Sequence, residues 1–215
     1  MHRVLVSILI GILDSFLFNC IICRLIPLMD DKSTLPTDIR KSWIFISLAG
    51  GCFNSLCFDY SDAWLVNILF IFLLVQAYCD YYTFEVYVFF SIVMAVVGYS
   101  YGLLSQCIGV SDLKIVIEFF VIVLISKLCG AINWGDVETL VAIVPFLLCI
   151  FTDKSIYSLT LFYCISLALG ILIYVKNLIS KKSRYVPYCV GVLAGYFIYL
   201  FISEGSCLQV WKLAI

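Results

Sequence analysis

Residues 63–80 read AWLVNILFIFLLVQAYCD, a run without a charged residue until it closes on Asp80. A membrane-crossing helix needs about 20 predominantly apolar residues, so this run predicts one, with a carboxylate at its rim. A second acid stands in the same kind of place. Asp136 lies in residues 132–140, INWGDVETL, just ahead of the apolar run VAIVPFLLCIF. A carboxylate at a membrane boundary is costly unless it faces water, a partner or a substrate. Two such acids on one face could share a proton, because close carboxylates cannot both ionise.

The composition agrees with that reading. Of 215 residues, 64% are hydrophobic and 13% charged, and the mean hydropathy is +1.13. This places the chain among polytopic membrane proteins. The net charge of -1 offers no basic stripe for phosphates, so nucleic acid is not an expected partner. The single histidine, His2, excludes a histidine-based triad. Eleven cysteines are scattered, almost all within apolar runs, and are expected to be small buried hydrophobes. The one CxxC, Cys20 to Cys23, lacks the second pair that a tetrahedral zinc site uses. The apolar N-terminal run has no A-x-A-like cleavage site, so a retained helix is expected rather than a signal peptide.

Eight apolar segments follow one another, near Val4–Leu25, Ser42–Phe58, Ala63–Cys79, Val86–Leu104, Leu113–Cys129, Val137–Phe151, Ile156–Val175 and Val186–Ile202. The predicted fold is all-α, one membrane-embedded helix bundle over residues 1–215, with about eight transmembrane helices. Alternating the segments puts Arg24, Lys32, Arg40, Lys41, Lys127, Lys176, Lys181, Lys182 and Arg184 on one side. The other side holds Arg3, Lys114, Lys154 and Lys212. Basic loops stay in the cytoplasm, so the first side is cytoplasmic, and both Asp80 and Asp136 fall on it.

Four stretches resemble one family. DYYTFEVY, Asp80 to Tyr87, is similar to the D-x-x-T-x-x-[I/V]-P signature of type IV prepilin peptidases. NWGDVETL, Asn133 to Leu140, resembles their G-x-G-D motif. LDSFLFNCIICRLIP, ending at Pro27, is similar to the family's first-helix segment, and RYVPYCVGVLAG, Arg184 to Gly195, to its late P-F-x-P segment. The four occur in the family's order over most of the chain. There are departures: Asn133 replaces the first motif glycine, Tyr87 the usual proline, and Glu138 stands where the family usually has lysine. The loop Pro27–Lys41 contains no cysteine, whereas many members carry a zinc-binding insertion there, associated with N-methylation.

The resemblance implies an intramembrane aspartic endopeptidase that needs no metal or organic cofactor. Its partners would be the lipid bilayer and a pilin-like precursor whose short basic leader is removed at the cytoplasmic face of a bacterial inner membrane, in type IV pilus assembly or protein secretion. Asp80 and Asp136 would be the catalytic pair, supported by Thr83, which is expected to orient Asp80, and by Gly135. Glu85 and Glu138 are candidates for tuning the pair or touching substrate. Gly135 is expected to let the backbone approach a substrate or adopt a conformation closed to other residues. The bland alternative is that each aspartate only caps the helix that follows it. Asp14 and Glu118, inside apolar segments, are expected to be structural or to line a groove. Asp14 could also bond to Asn19. Aromatic residues, 16% of the chain, are expected on lipid-facing and interfacial surface. Three other readings stand beside it: a related archaeal-type preflagellin peptidase, a carrier or channel using the acids to bind an ion or proton, and a degenerate, non-catalytic family member that only chaperones pilins, against which the retention of both aspartates argues.

Overall fold

The computed structural model describes residues 2–29, 39–57, 60–83, 86–150, 154–179 and 187–203. Among the described residues all regular structure is helical. Helix α1 (His2–Cys20) widens into a π-helical turn, Ile21–Leu25, and closes as the short α2 (Ile26–Met29). In the wide turn the Ile26 N–H bonds to the carbonyl of Ile21. Pro27 follows at once, and a proline ring collides with the carbonyl four residues back in a regular helix. Then come α3 (Lys41–Cys57), α4 (Tyr60–Thr83), α5 (Val88–Leu104), α6 (Val110–Leu128), α7 (Trp134–Ile150), α8 (Ile156–Ile179) and α9 (Tyr188–Ser203).

The eight long helices correspond to the eight apolar segments, so the all-α bundle is the observed fold. Among the described residues, three of them are long and apolar enough to cross a membrane: Arg3–Leu25, Trp64–Thr83 and Ile156–Ile179. Their burial differs. Most of the Trp64–Thr83 span is enclosed by protein, while α1 and α8 present bare apolar side chains such as Leu9, Phe16 and Leu172. An apolar belt of this kind is the surface expected to meet lipid tails rather than water.

Helix α4 is the axis of the bundle, packing against α1, α3, α5, α7 and α9. Helix α7 is nearly as enclosed and meets α4, α5, α6 and α9. The two acids of interest therefore sit on the two most buried helices, not on exposed loops.

Small residues allow the closest packing. Gly191 and Gly195 of α9 face Ser166 and Gly170 of α8, so small residues four apart on both helices form the contact. A side chain added at Gly191 would meet the Ser166 carbonyl oxygen at 2.6 Å and the Gly170 backbone nitrogen at 2.7 Å. Where apolar helices have no hydrophobic drive to associate, such backbone approach supplies the dispersion contacts. Gly51 of α3 plays the same part against α1, opposite Gly11 and the carboxylate of Asp14.

Two acids take structural places. Asp14 is buried between α1 and α3, and one of its oxygens has no hydrogen-bond partner among the described residues. It does not use Asn19, whose side-chain oxygen accepts the Cys23 thiol at 3.3 Å. Glu118 lies on the surface beside Lys114, 3.7 Å away.

Candidate active site

Asp80, expected at the end of a segment, lies within the last turn of α4, which runs on to Thr83. The continuation is aromatic. Tyr81 and Tyr82 stack near Trp43 of α3, Tyr78 also packs on Trp43 at 5.2 Å, and Phe18 of α1 meets Tyr78 at 5.6 Å. These rings were expected on lipid-facing surface. Five of them instead form an internal cluster that fixes the end of α4 against α1 and α3, because edge-to-face rings gain more from one another than from lipid. Arg40 lies over the Tyr82 ring at 5.8 Å.

Gln76 ties the chain on the far side of the α4–α5 connection back to α4. Its side-chain oxygen accepts the Tyr87 N–H at 3.2 Å, and its amide nitrogen donates to the Tyr87 carbonyl and to Ser91 Oγ. Glu85 lies outside the described residues.

Asp136 is placed by a compact turn. Helix α6 ends with the Gly130 N–H bonded to Lys127 O and the Ala131 N–H to Ser126 O. This is the paired closure in which a left-handed residue turns the chain, and Gly130 has φ +75. Four residues after Gly130, α7 begins at Trp134, and the Asn133 N–H donates to Asp136 Oδ2 at 2.8 Å. An acid at the third helical position reaching back to the residue before the helix is one half of a capping box. The capping alternative thus holds for one oxygen of Asp136. It fails for Asp80, which sits at the C-terminal end of α4, where a helix disfavours negative charge.

What offsets that placement is α9. The Cys189 N–H, one of the unpaired donors of the first turn of α9, bonds to Asp80 Oδ2 at 2.7 Å. The Cys189 thiol sits 4.0 Å from Asp136 Oδ1 and 3.9 Å from Thr139 Oγ1. Carboxylate oxygens of Asp80 and Asp136 and the Cys189 sulfur all lie within 4.8 Å of one another. Both acids are about 5% exposed and Cys189 is fully buried. Each carboxylate is anchored through one oxygen by a backbone N–H, that of Asp136 from its own helix start and that of Asp80 from a distant part of the chain.

The other expected residues divide. The Thr83 hydroxyl donates one turn back along its own helix, to the Cys79 carbonyl at 2.8 Å, a bond that steadies the last turn of α4, which carries Asp80. Gly135 has no positive φ, so the expectation of a special backbone conformation is corrected. Its use is close approach, within its own chain: a side chain there would meet Val86 Cβ at 2.9 Å. Glu138 is half-buried, and one of its oxygens has no hydrogen-bond partner among the described residues. It lines a groove of about 310 Å³ whose walls are Val88, Ile92 and Ala95 of α5, Phe120 of α6 and Val141 of α7.

Cys189, Thr139 and Gln76 were not foreseen. Cys189 lies in the late segment that resembles the peptidase family, so its neighbourhood was legible, but cysteines in an apolar run read as core. Arg184 to Val186 of that segment lie outside the described residues, as does most of the loop after the first helix. No known protein family, curated protein or solved structure matches the chain.

Proposed function

We propose that the chain is an intramembrane aspartic endopeptidase of the prepilin peptidase type, crossing a bacterial inner membrane about eight times. One observation carries the reading. Two buried aspartates, distant in sequence and held by different helices, converge without a basic residue bonded to either among the described residues. Carboxylates so placed share a proton rather than both ionise. The resemblance of DYYTFEVY and NWGDVETL to the family's two aspartate motifs supports the same pairing.

The chemistry follows from the pair. The ionised carboxylate takes a proton from water, and the water oxygen attacks the scissile carbonyl carbon. The protonated partner gives its proton to the carbonyl oxygen. As the intermediate collapses, the C–N bond breaks, the proton first taken from water passes to the leaving amine, and a hydroxyl of the intermediate returns its proton to the second carboxylate as the carbonyl re-forms. The backbone bonds from Asn133 and Cys189 hold the carboxylates in place during these transfers. A buried pair needs no reorientation of solvent to do this.

The substrate is a pilin-like precursor. Its basic leader would stay at the cytoplasmic face, and its hydrophobic segment would lie in the groove between α5, α6 and α7, which opens beside the first turn of α7. Filling that groove is the test. Ala95→Trp is expected to cut precursor cleavage by more than tenfold while the protein remains in the membrane. Quantitative immunoblotting of precursor and mature forms reads the result, and unchanged cleavage would remove the groove from the substrate's path.

Cleavage without efficient N-methylation is the second expectation. Residues Pro27 to Lys41 contain no cysteine and no histidine to hold a structural zinc. Mass spectrometry of the processed substrate should show an unmodified new N-terminus. An added methyl group that disappears when this chain is deleted would contradict the expectation.

A further inference from the structure

The candidate site contains one group that peptide hydrolysis does not use. Cys189 places a thiol against both carboxylates, from a third helix, with no solvent exposure. Two oxygens and one sulfur converging within 4.8 Å are more than a proton-sharing pair requires. One buried phenol is also unexplained. Tyr188, which precedes Cys189 at the start of α9, is more than nine-tenths buried, and its hydroxyl has no partner among the described residues. A buried hydroxyl without a partner calls for an explanation such as an ordered water or a ligand.

We propose that Asp80, Asp136 and Cys189 form a binding site for a zinc-class divalent ion, with occupancy switching off the aspartate pair. The donor set selects the metal. A thiolate with two carboxylates suits zinc and its borderline relatives, whereas magnesium and calcium take oxygen alone. The geometry is close to what is needed. Zinc–sulfur and zinc–oxygen bonds of about 2.3 and 2.0 Å at tetrahedral angles put sulfur and oxygen about 3.5 Å apart. Cys189 Sγ and Asp136 Oδ1 are 4.0 Å apart, so a small side-chain movement closes the site. The fourth position would hold a water. Binding releases the thiol proton and the proton shared by the carboxylates to solvent. Neither carboxyl group is then available as acid or base. Metal binding stands on the geometry alone; inhibition rests on the proposed peptidase activity.

The test uses the full chain, purified in detergent or lipid nanodiscs, with cobalt as a spectroscopic stand-in for zinc. Cobalt titration should give a saturable sulfur-to-cobalt absorption band that zinc displaces and magnesium does not. Cys189→Ser should lose the band, and Asp136→Asn should weaken binding more than tenfold. Cys20→Ser and Cys23→Ser together should change neither. Circular dichroism confirms that each variant keeps its helix content. A band that survives Cys189→Ser, or no saturable binding to the wild type, overturns the proposal. If Cys189→Ser does not fold, Asp80→Asn and Asp136→Asn carry the same test, and unweakened binding in both overturns it. Precursor cleavage is assayed separately with and without zinc. Cleavage insensitive to saturating zinc refutes the switch and leaves the peptidase standing. Metal binding at Cys189 without cleavage under any condition refutes the peptidase and leaves the site standing.

Discussion

Asp80→Asn and Asp136→Asn are each expected to abolish precursor cleavage while leaving the protein in the membrane. An amide keeps the size of the carboxyl group and can still accept the backbone N–H from Cys189 or Asn133. It cannot take a proton from water or lend one to the carbonyl oxygen. Losing one partner of an acid–base pair costs on the order of 10² to 10⁴ in rate. The two variants should therefore be alike, and the double variant hardly worse, because the pair acts as a unit. Stability should hold or improve slightly, since a buried carboxylate is replaced by a neutral group. The measurement is the ratio of mature to precursor protein in cells carrying each variant, with membrane abundance as control. Activity within about tenfold of wild type in either variant would remove the dyad from the mechanism.

Gly191→Leu should produce the largest loss of stability. The atoms that a side chain would strike are backbone, the Ser166 carbonyl and Gly170 nitrogen and Cα at 2.6–2.9 Å. Backbone has no rotamer to move aside, so α9 itself must shift from α8. Overpacking of this kind costs about 1–3 kcal/mol and occasionally more. The shift would also carry the Cys189 N–H away from Asp80, because Gly191 lies two residues further along the same helix. Both a lower thermal midpoint in detergent and reduced cleavage are expected. Gly170→Leu, on the facing helix, should behave similarly. A Gly191→Leu protein with an unchanged midpoint would show that α8 and α9 do not approach as described.

Much of the bundle was readable along the chain, and the reasons are local. Eight apolar runs became eight long helices because a run of roughly 20 uncharged residues has few alternatives. The boundaries were less readable. Asp80 and Asp136 were expected at rims and lie inside the terminal turns of α4 and α7. The shift comes from Tyr81 and Tyr82, which extend α4 onto Trp43, and from Asn133, which starts α7 one turn earlier than the apolar run. Gly135 was singled out for close approach, and the neighbour that approaches it within the chain is Val86.

By itself the sequence determined the all-α bundle, the order of its helices and the two acids as the residues to examine. Those are consequences of local composition: apolar length for a helix, and the cost of a charge at a membrane rim for the acids. Only the tertiary structure decided how far apart the acids stand and what surrounds them. Their separation depends on α4 and α7 meeting at the bundle centre, and on α9 adding the N–H and thiol of Cys189. No periodicity encodes that meeting. It is set by which glycines let α8 and α9 close, which rings hold the end of α4, and where Gly130 turns the chain into α7.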